Sequence, residues 1–142
     1  MLKMLIAVDG SEHAQRALEA VARLAPRVDG LEAVLLNVRD SPLYYGELPP
    51  FDHDSLDRMQ RRRQDDLLTK AQAEAARLGL RQVTTQGAEG APANEIVRAA
   101  QECGADQIVL GTHGRGAIGS LFIGSVAQRV VHLAKVPVLL VK

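Results

Sequence analysis

Short apolar runs alternate with segments of helical periodicity along the whole chain, and this alternation limits the fold more than any single residue does. Met4–Val8, Leu31–Val38, Gln107–Leu110 and Val136–Val141 are near-continuous apolar stretches, and Arg81–Thr85 is a weaker one. Strands buried on both faces of a parallel sheet read this way. After Ser11, a candidate N-cap, the residues Ala14, Ala17, Leu18, Val21, Ala22 and Ala25 fall at three- and four-residue spacing. Asp54–Leu78 carries a longer stripe that includes Leu56, Met59, Leu68 and Ala75, and Gly79 suits its exit. Gly87–Gly90 reads as a turn. Pro92 then opens a helix with Ile96, Ala99, Ala100 and Cys103 inward, which Gly104 ends. Ser125–Ala134 is the last helix, with Val126, Val130 and Val131 inward. The order β-α-β-α-β-α-β-α-β predicts an α/β fold, a parallel sheet with helices on both faces. The 142 residues suit one domain over 1–142, with no linker or internal repeat to divide it.

Charge and cysteine content remove several function classes. Lys+Arg and Asp+Glu both number 17, so the basic excess expected of a nucleic-acid or anionic-membrane binder is missing. Arg61-Arg62-Arg63 is followed at once by Asp65 and Asp66 and reads as a solvated helix face. Cys103 is the single cysteine, which excludes an intrachain disulfide and any site built on several thiolates. No apolar run reaches the length of a membrane span. The N-terminus turns polar at Asp9, too soon for a signal peptide, so a cytoplasmic location is expected. Arg39–His53 is irregular and holds Tyr44, Tyr45 and Phe51, three of the four Phe and Tyr residues. A loop of this length is often functional. It is read as a lid or a partner surface, with a cluster covering the sheet edge as the alternative.

Ligands of open parallel sheets bind at the carboxyl ends of the strands, where the strand order reverses. Asp9, Val38 and Gly111 lie at such ends. Gly111 and Gly114, then Gly124 and Ser125 after nine residues, follow the fourth apolar run. Glycine leaves main chain open to a ligand. A helix start at Ser125 offers unpaired N–H groups and positive dipole to phosphate. Asp9 is an acceptor for a ribose hydroxyl or for a metal on the phosphates, and Val38 offers strand-end main chain to a purine edge. The other reading stays open: the glycines are turn residues and Asp9 a helix cap. Gly114-Arg-Gly116-Ala-Ile-Gly119 matches G-x-G-x-x-G, but it follows the fourth strand and no Asp or Glu occurs after Asp106. The dinucleotide fingerprint needs the first strand and a following acid, so it does not apply. No Walker A sequence is present. His113 lies in the glycine loop, yet no serine–histidine–carboxylate set is seen. His13, His53 and His132 have no metal spacing, so neither a catalytic residue nor a protein metal site is assigned.

These residues resemble the universal stress protein family, whose nucleotide-binding members carry G-x2-G-x9-G-[S/T]. Gly111, Gly114, Gly124 and Ser125 match that motif in full. Met4–Leu18, Ala105–Gly116, Gly124–Val131 and Pro137–Val141 look like further family blocks in the same order. The chain departs most in the Tyr-bearing loop. The resemblance implies an open five-stranded parallel sheet of order 3-2-1-4-5, Rossmann-like and of the adenine nucleotide alpha hydrolase-like type. It implies ATP as ligand, with Mg²⁺ or Mn²⁺ bound through the phosphates. Asp9 and Val38 would hold ribose and adenine; Leu110, Gly111, Gly114, Gly124, Ser125 and Val126 would hold ribose and phosphates. It also implies a homodimer paired through Val136–Val141, which would cover an apolar edge strand. The function expected is an ATP-binding stress-response protein. Two alternatives are a slow ATPase or nucleotide-dependent transferase, and a dimeric interaction module that binds no nucleotide.

Overall fold

The computed structural model describes residues 1–40, 53–113 and 123–142. The strands are β1 (Leu2–Ala7), β2 (Leu31–Arg39), β3 (Gln82–Glu89), β4 (Gln107–Gly111) and β5 (Val138–Val141). The helices are α1 (Glu12–Leu24), α2 (His53–Arg77), α3 (Pro92–Cys103) and α4 (Ser125–Leu133), with a short 3₁₀ turn at Ala25–Arg27. All pairings are parallel and the sheet order is β3-β2-β1-β4-β5. The Tyr-bearing loop and its lid or partner reading lie outside the described residues, apart from its ends.

Alternation along the central strands sends side chains to two cores. Met4, Ile6, Val8 and Leu35 pack with Leu18 and Val21 of α1 and Leu68 and Ala75 of α2. Leu5, Leu36, Ile108 and Leu110 pack with Ile96, Ala99 and Ala100 of α3 and Ala127 and Val130 of α4. Right-handed crossovers dictate this split. The chain first moves outward from β1 to β3 with α1 and α2 on one face. It then returns past β1 to β4 and β5 with α3 and α4 on the other. Leu5, Ile6, Leu35 and Ile108 are wholly inaccessible to water. Burial of each is worth about 1.5–3 kcal/mol.

Three sequence expectations are corrected. The segment Gly87–Gly90 is not a turn up to its end: β3 runs through Gly87 to Glu89, paired along β2 as far as Arg39. The bend comes at Gly90, with φ at 137°. Gly87 is needed in the strand because a Cβ there would stand 2.6 Å from Gln64 Oε1. In α4, Val126 and Val131 are 39% and 50% exposed, while Ala127 and Val130 face inward. The close approach of α4 to the alanine face of α3 selects the small residue. Met59 of α2 is exposed as well.

Gln64 is 8% exposed and fills the notch at Gly87. Its amide donates to Asn37 O at 2.9 Å, Asn37 Oδ1 at 3.0 Å and Ala88 O at 3.0 Å. Gly87→Ala is therefore expected to displace the Gln64 head and lower stability by about 1–3 kcal/mol. Urea unfolding with an unchanged m-value checks this.

Candidate functional site

The chain order reverses between β1 and β4, which are direct neighbours. A cavity of about 440 Å³ opens there, at the carboxyl ends of β1, β2 and β4 and the start of α4. Asp9, Val38, Leu110, Gly111, Gly124, Ser125 and Val126 all line it. Gly114 lies outside the described residues. Seven of the eight residues singled out in the sequence thus border one hollow, although they come from four separate parts of the chain.

Local chemistry explains each wall. On leaving β1, Val8 N still donates to Leu36 O at 2.8 Å. Asp9 Oδ1 then accepts from Ser11 N at 2.9 Å, and Ser11 Oγ caps α1 by accepting from Ala14 N at 3.2 Å. Asp9 therefore does fasten the turn before α1, as the alternative reading held, and it borders the cavity as well. The second wall is β2. Asn37, 9% exposed, donates its amide to Val8 O at 2.7 Å and accepts from Gln64. A relay of side-chain amides thus runs from α2 beneath the cavity floor to β1, and it fixes the spacing of the β1 and β2 ends.

The third wall is β4 with α4. Gly111 closes β4, and a Cβ there would lie 2.6 Å from His13 Cβ and 2.7 Å from the His13 carbonyl carbon. Close packing against α1 already demands glycine, apart from any ligand. Thr112 N donates to Val141 O at 2.9 Å, and Thr112 O accepts from Gly124 N at 2.6 Å. That second bond draws the start of α4 up to the end of β4. Gly124 is the N-cap, with no side-chain cap bond, and Gln128 N returns to Gly124 O at 3.0 Å. The main-chain N–H groups of Ser125, Val126 and Ala127 belong to the first turn, where a helix has no internal acceptors to offer them. An anion at the mouth would supply those acceptors and meet the positive end of the dipole. The stretch from Gln107 to Lys142 contains Arg115, Arg129, Lys135 and Lys142 and no acid. Among the described residues the α4 side of the cavity therefore holds no carboxylate, and Asp9 and Asp40 line it opposite.

Comparison with known proteins fits this architecture. The family model described as universal stress protein family matches residues 1–142. The chain belongs to that family. It is 41% identical over 141 residues to a universal stress protein of Thermus aquaticus, covering 98% of this chain and 97% of the relative. It is 32% identical over 148 residues to universal stress protein YxiE of Bacillus subtilis, covering 99% and 98%. The solved universal stress protein of Archaeoglobus fulgidus in complex with dAMP is similar in structure, with a TM-score of 0.70 and 25% identity over 100% of this chain and 98% of that one.

Within this universal stress protein, several cavity residues escaped sequence reasoning. Asn37 was legible in principle, as a polar residue at the carboxyl end of an otherwise mostly apolar run. Thr112 is 7% exposed and joins β4, α4 and β5 through its main chain, a role that spacing does not signal. Pro92 and Ile96 close the base of the hollow from α3. His113 also lines it, half-buried against His13 rather than standing on open surface. Among the described residues no group of three or more His, Cys, Asp or Glu is placed to hold a metal ion. No helix there is long and apolar enough to cross a membrane.

Proposed function

We propose that this protein binds an adenine nucleotide, ATP in particular, in the cavity between the ends of β1, β2 and β4 and the start of α4, and acts as a nucleotide-responsive stress protein. The observation that carries this reading is the convergence of Asp9, Val38, Gly111, Gly124 and Ser125 on one hollow at the point where the sheet order reverses. The similar Archaeoglobus fulgidus protein is in complex with dAMP, which supports an adenine nucleotide as the class of ligand. The base lies along the Val38 end of β2, with main-chain groups toward the purine edge. The ribose hydroxyls meet Asp9. The phosphates lie on Gly111 and on the N–H groups and hydroxyl of Gly124, Ser125 and Val126, with Gly114 completing the loop. A divalent cation, Mg²⁺ or Mn²⁺, arrives on the phosphates, beside the carboxylates of Asp9 and Asp40 at the cavity edge. The protein works in the cytoplasm as a homodimer. The outer edge of β5 has no neighbouring strand among the described residues, and a second copy laid along Val136–Val141 would close it.

Titration calorimetry tests the nucleotide reading. Gly124 has φ of −60°, so a side chain is compatible with its backbone. Gly124→Val is expected to leave the fold intact and weaken ATP at least a hundredfold, because its branched side chain occupies the phosphate position. Equal affinity in the variant and the parent contradicts the placement, and no binding by the parent up to millimolar ATP contradicts the function.

A further inference from the structure

Two histidines meet beside this cavity without a role in nucleotide binding so far. His13 sits in the first turn of α1 and His113 directly after β4, with ring centroids 4.8 Å apart and planes tilted by 46°. The bare Gly111 is what lets α1 come close enough for that contact. His113 Nδ1 is 2.9 Å from the Thr112 hydroxyl. His113 Nε2 and His13 Nδ1 are shut off from water, with no hydrogen-bond partner among the described residues. Native structures rarely leave buried polar atoms without a partner. The phosphate walls are adjacent: His113 lines the same cavity as Gly124 and Ser125, and Thr112 is bonded to Gly124.

We propose that His113, supported by His13, is a proton-coupled phosphate contact. It gains a proton as the nucleotide phosphates enter, so affinity rises as pH falls. This rests on the nucleotide reading. A neutral imidazole has one N–H, whereas the protonated ring donates from both nitrogens. With a proton on each nitrogen, Nδ1 donates to the Thr112 hydroxyl, and Nε2, covered by protein here, gains an acceptor when the ring turns toward an entering anion. Imidazole is the side chain whose charge ordinarily changes between pH 5 and 8.

The surrounding charges favour a ligand as the partner of that proton. From the β1–α1 turn comes Asp9, already bonded to Ser11 N, and from the end of β2 comes Asp40. Glu12 of α1 is exposed and lies 3.8 Å from Arg16, and Glu95 of α3 is paired with Arg98. α4 contributes Arg129 and His132, both exposed, the β5 end contributes Lys142, and none of β4, α4 or β5 contributes an acid. A proton on His113 thus gains most from phosphate at the start of α4.

Calorimetry of the full-length protein with ATP and Mg²⁺, from pH 8 to pH 6 in two buffers of different ionisation heat, counts the protons taken up. Phosphate titrates in this range itself, so His113→Gln serves as the control: it can still reach Thr112 but cannot titrate. The parent is expected to take up more protons per ATP than the variant, by at most one. Its affinity gains up to about tenfold per pH unit over the variant's. The ring C–H resonances of His113 in the parent, followed by NMR with and without ATP, read the same event without a substitution. Equal proton uptake in parent and variant, or ring resonances whose titration ATP does not move, overturns this inference alone. Absence of ATP binding at every pH overturns the nucleotide reading and this one with it.

Discussion

Replacing Gly111 by alanine is expected to destabilise the protein by about 3 kcal/mol, and replacement by valine to prevent folding. A methyl group at this position meets His13 Cβ at 2.6 Å, its carbonyl carbon at 2.7 Å and its oxygen at 2.8 Å. Two of those atoms are main chain, so no rotamer change relieves the clash. Either α1 must move off the sheet or β4 must leave its register with β5 at Val141. α1 is anchored by the capping bond of Ser11 and by Ala17, Leu18 and Val21, all buried. Moving it disturbs the Asp9 turn and the core beneath α1 and α2 together. Thermal unfolding measures the effect, and a drop of roughly 10 °C is expected for the alanine variant. A change under about 1 kcal/mol would mean that α1 yields easily, and the account of the third wall would then be wrong.

The second large effect falls on Asn37. Asn37→Asp keeps shape and volume but turns the amide donor facing Val8 O into an acceptor. At neutral pH the buried carboxylate faces that carbonyl oxygen without a hydrogen between them. Loss of the bond and desolvation of the charge together cost about 3 kcal/mol. Protonation restores an O–H donor toward Val8 O, so the folded state of the variant favours the protonated form. The deficit therefore shrinks as pH falls and grows as pH rises, relative to the parent at each pH. Urea unfolding at pH 7 and pH 4.5 checks both the size and the sign. A pH-independent deficit would show that the 2.7 Å contact with Val8 O is not what Asn37 supplies. The same variant is expected to bind ATP more weakly, because the relay spaces the β1 and β2 ends that are proposed to hold adenosine.

The inner sheet was legible in the sequence because β1, β2 and β4 are largely buried on both faces and read as near-continuous apolar runs. The edge strand β3 was only half legible. Its residues are exposed or half-buried throughout, and Gly87–Gly90 reads as a turn. What keeps that strand going is Gln64, 23 positions earlier on α2, whose amide needs the space a side chain at position 87 would take. No local pattern carries such information. Valine spacing likewise misplaced the inner face of α4, since the fit between Ala127 and the alanines of α3 is a tertiary matter. The cavity itself was legible through its glycines and through strand ends fixed by topology. Gly111 shows the limit of that argument: its absent side chain serves the His13 contact as well as the open loop. Asn37 and His113 gain meaning only from partners that the fold brings to them.

Amide NMR during titration with ATP and Mg²⁺ tests the central claim most directly. The account predicts that the signals of Asp9, Val38, Gly111, Gly124, Ser125 and Val126 move together and fit one Kd, because one molecule touches them all. Saturating ATP that leaves these signals in place, or moves instead those of Gln15, Arg16, Lys70 and Glu74 in the groove between α1 and α2, would contradict it.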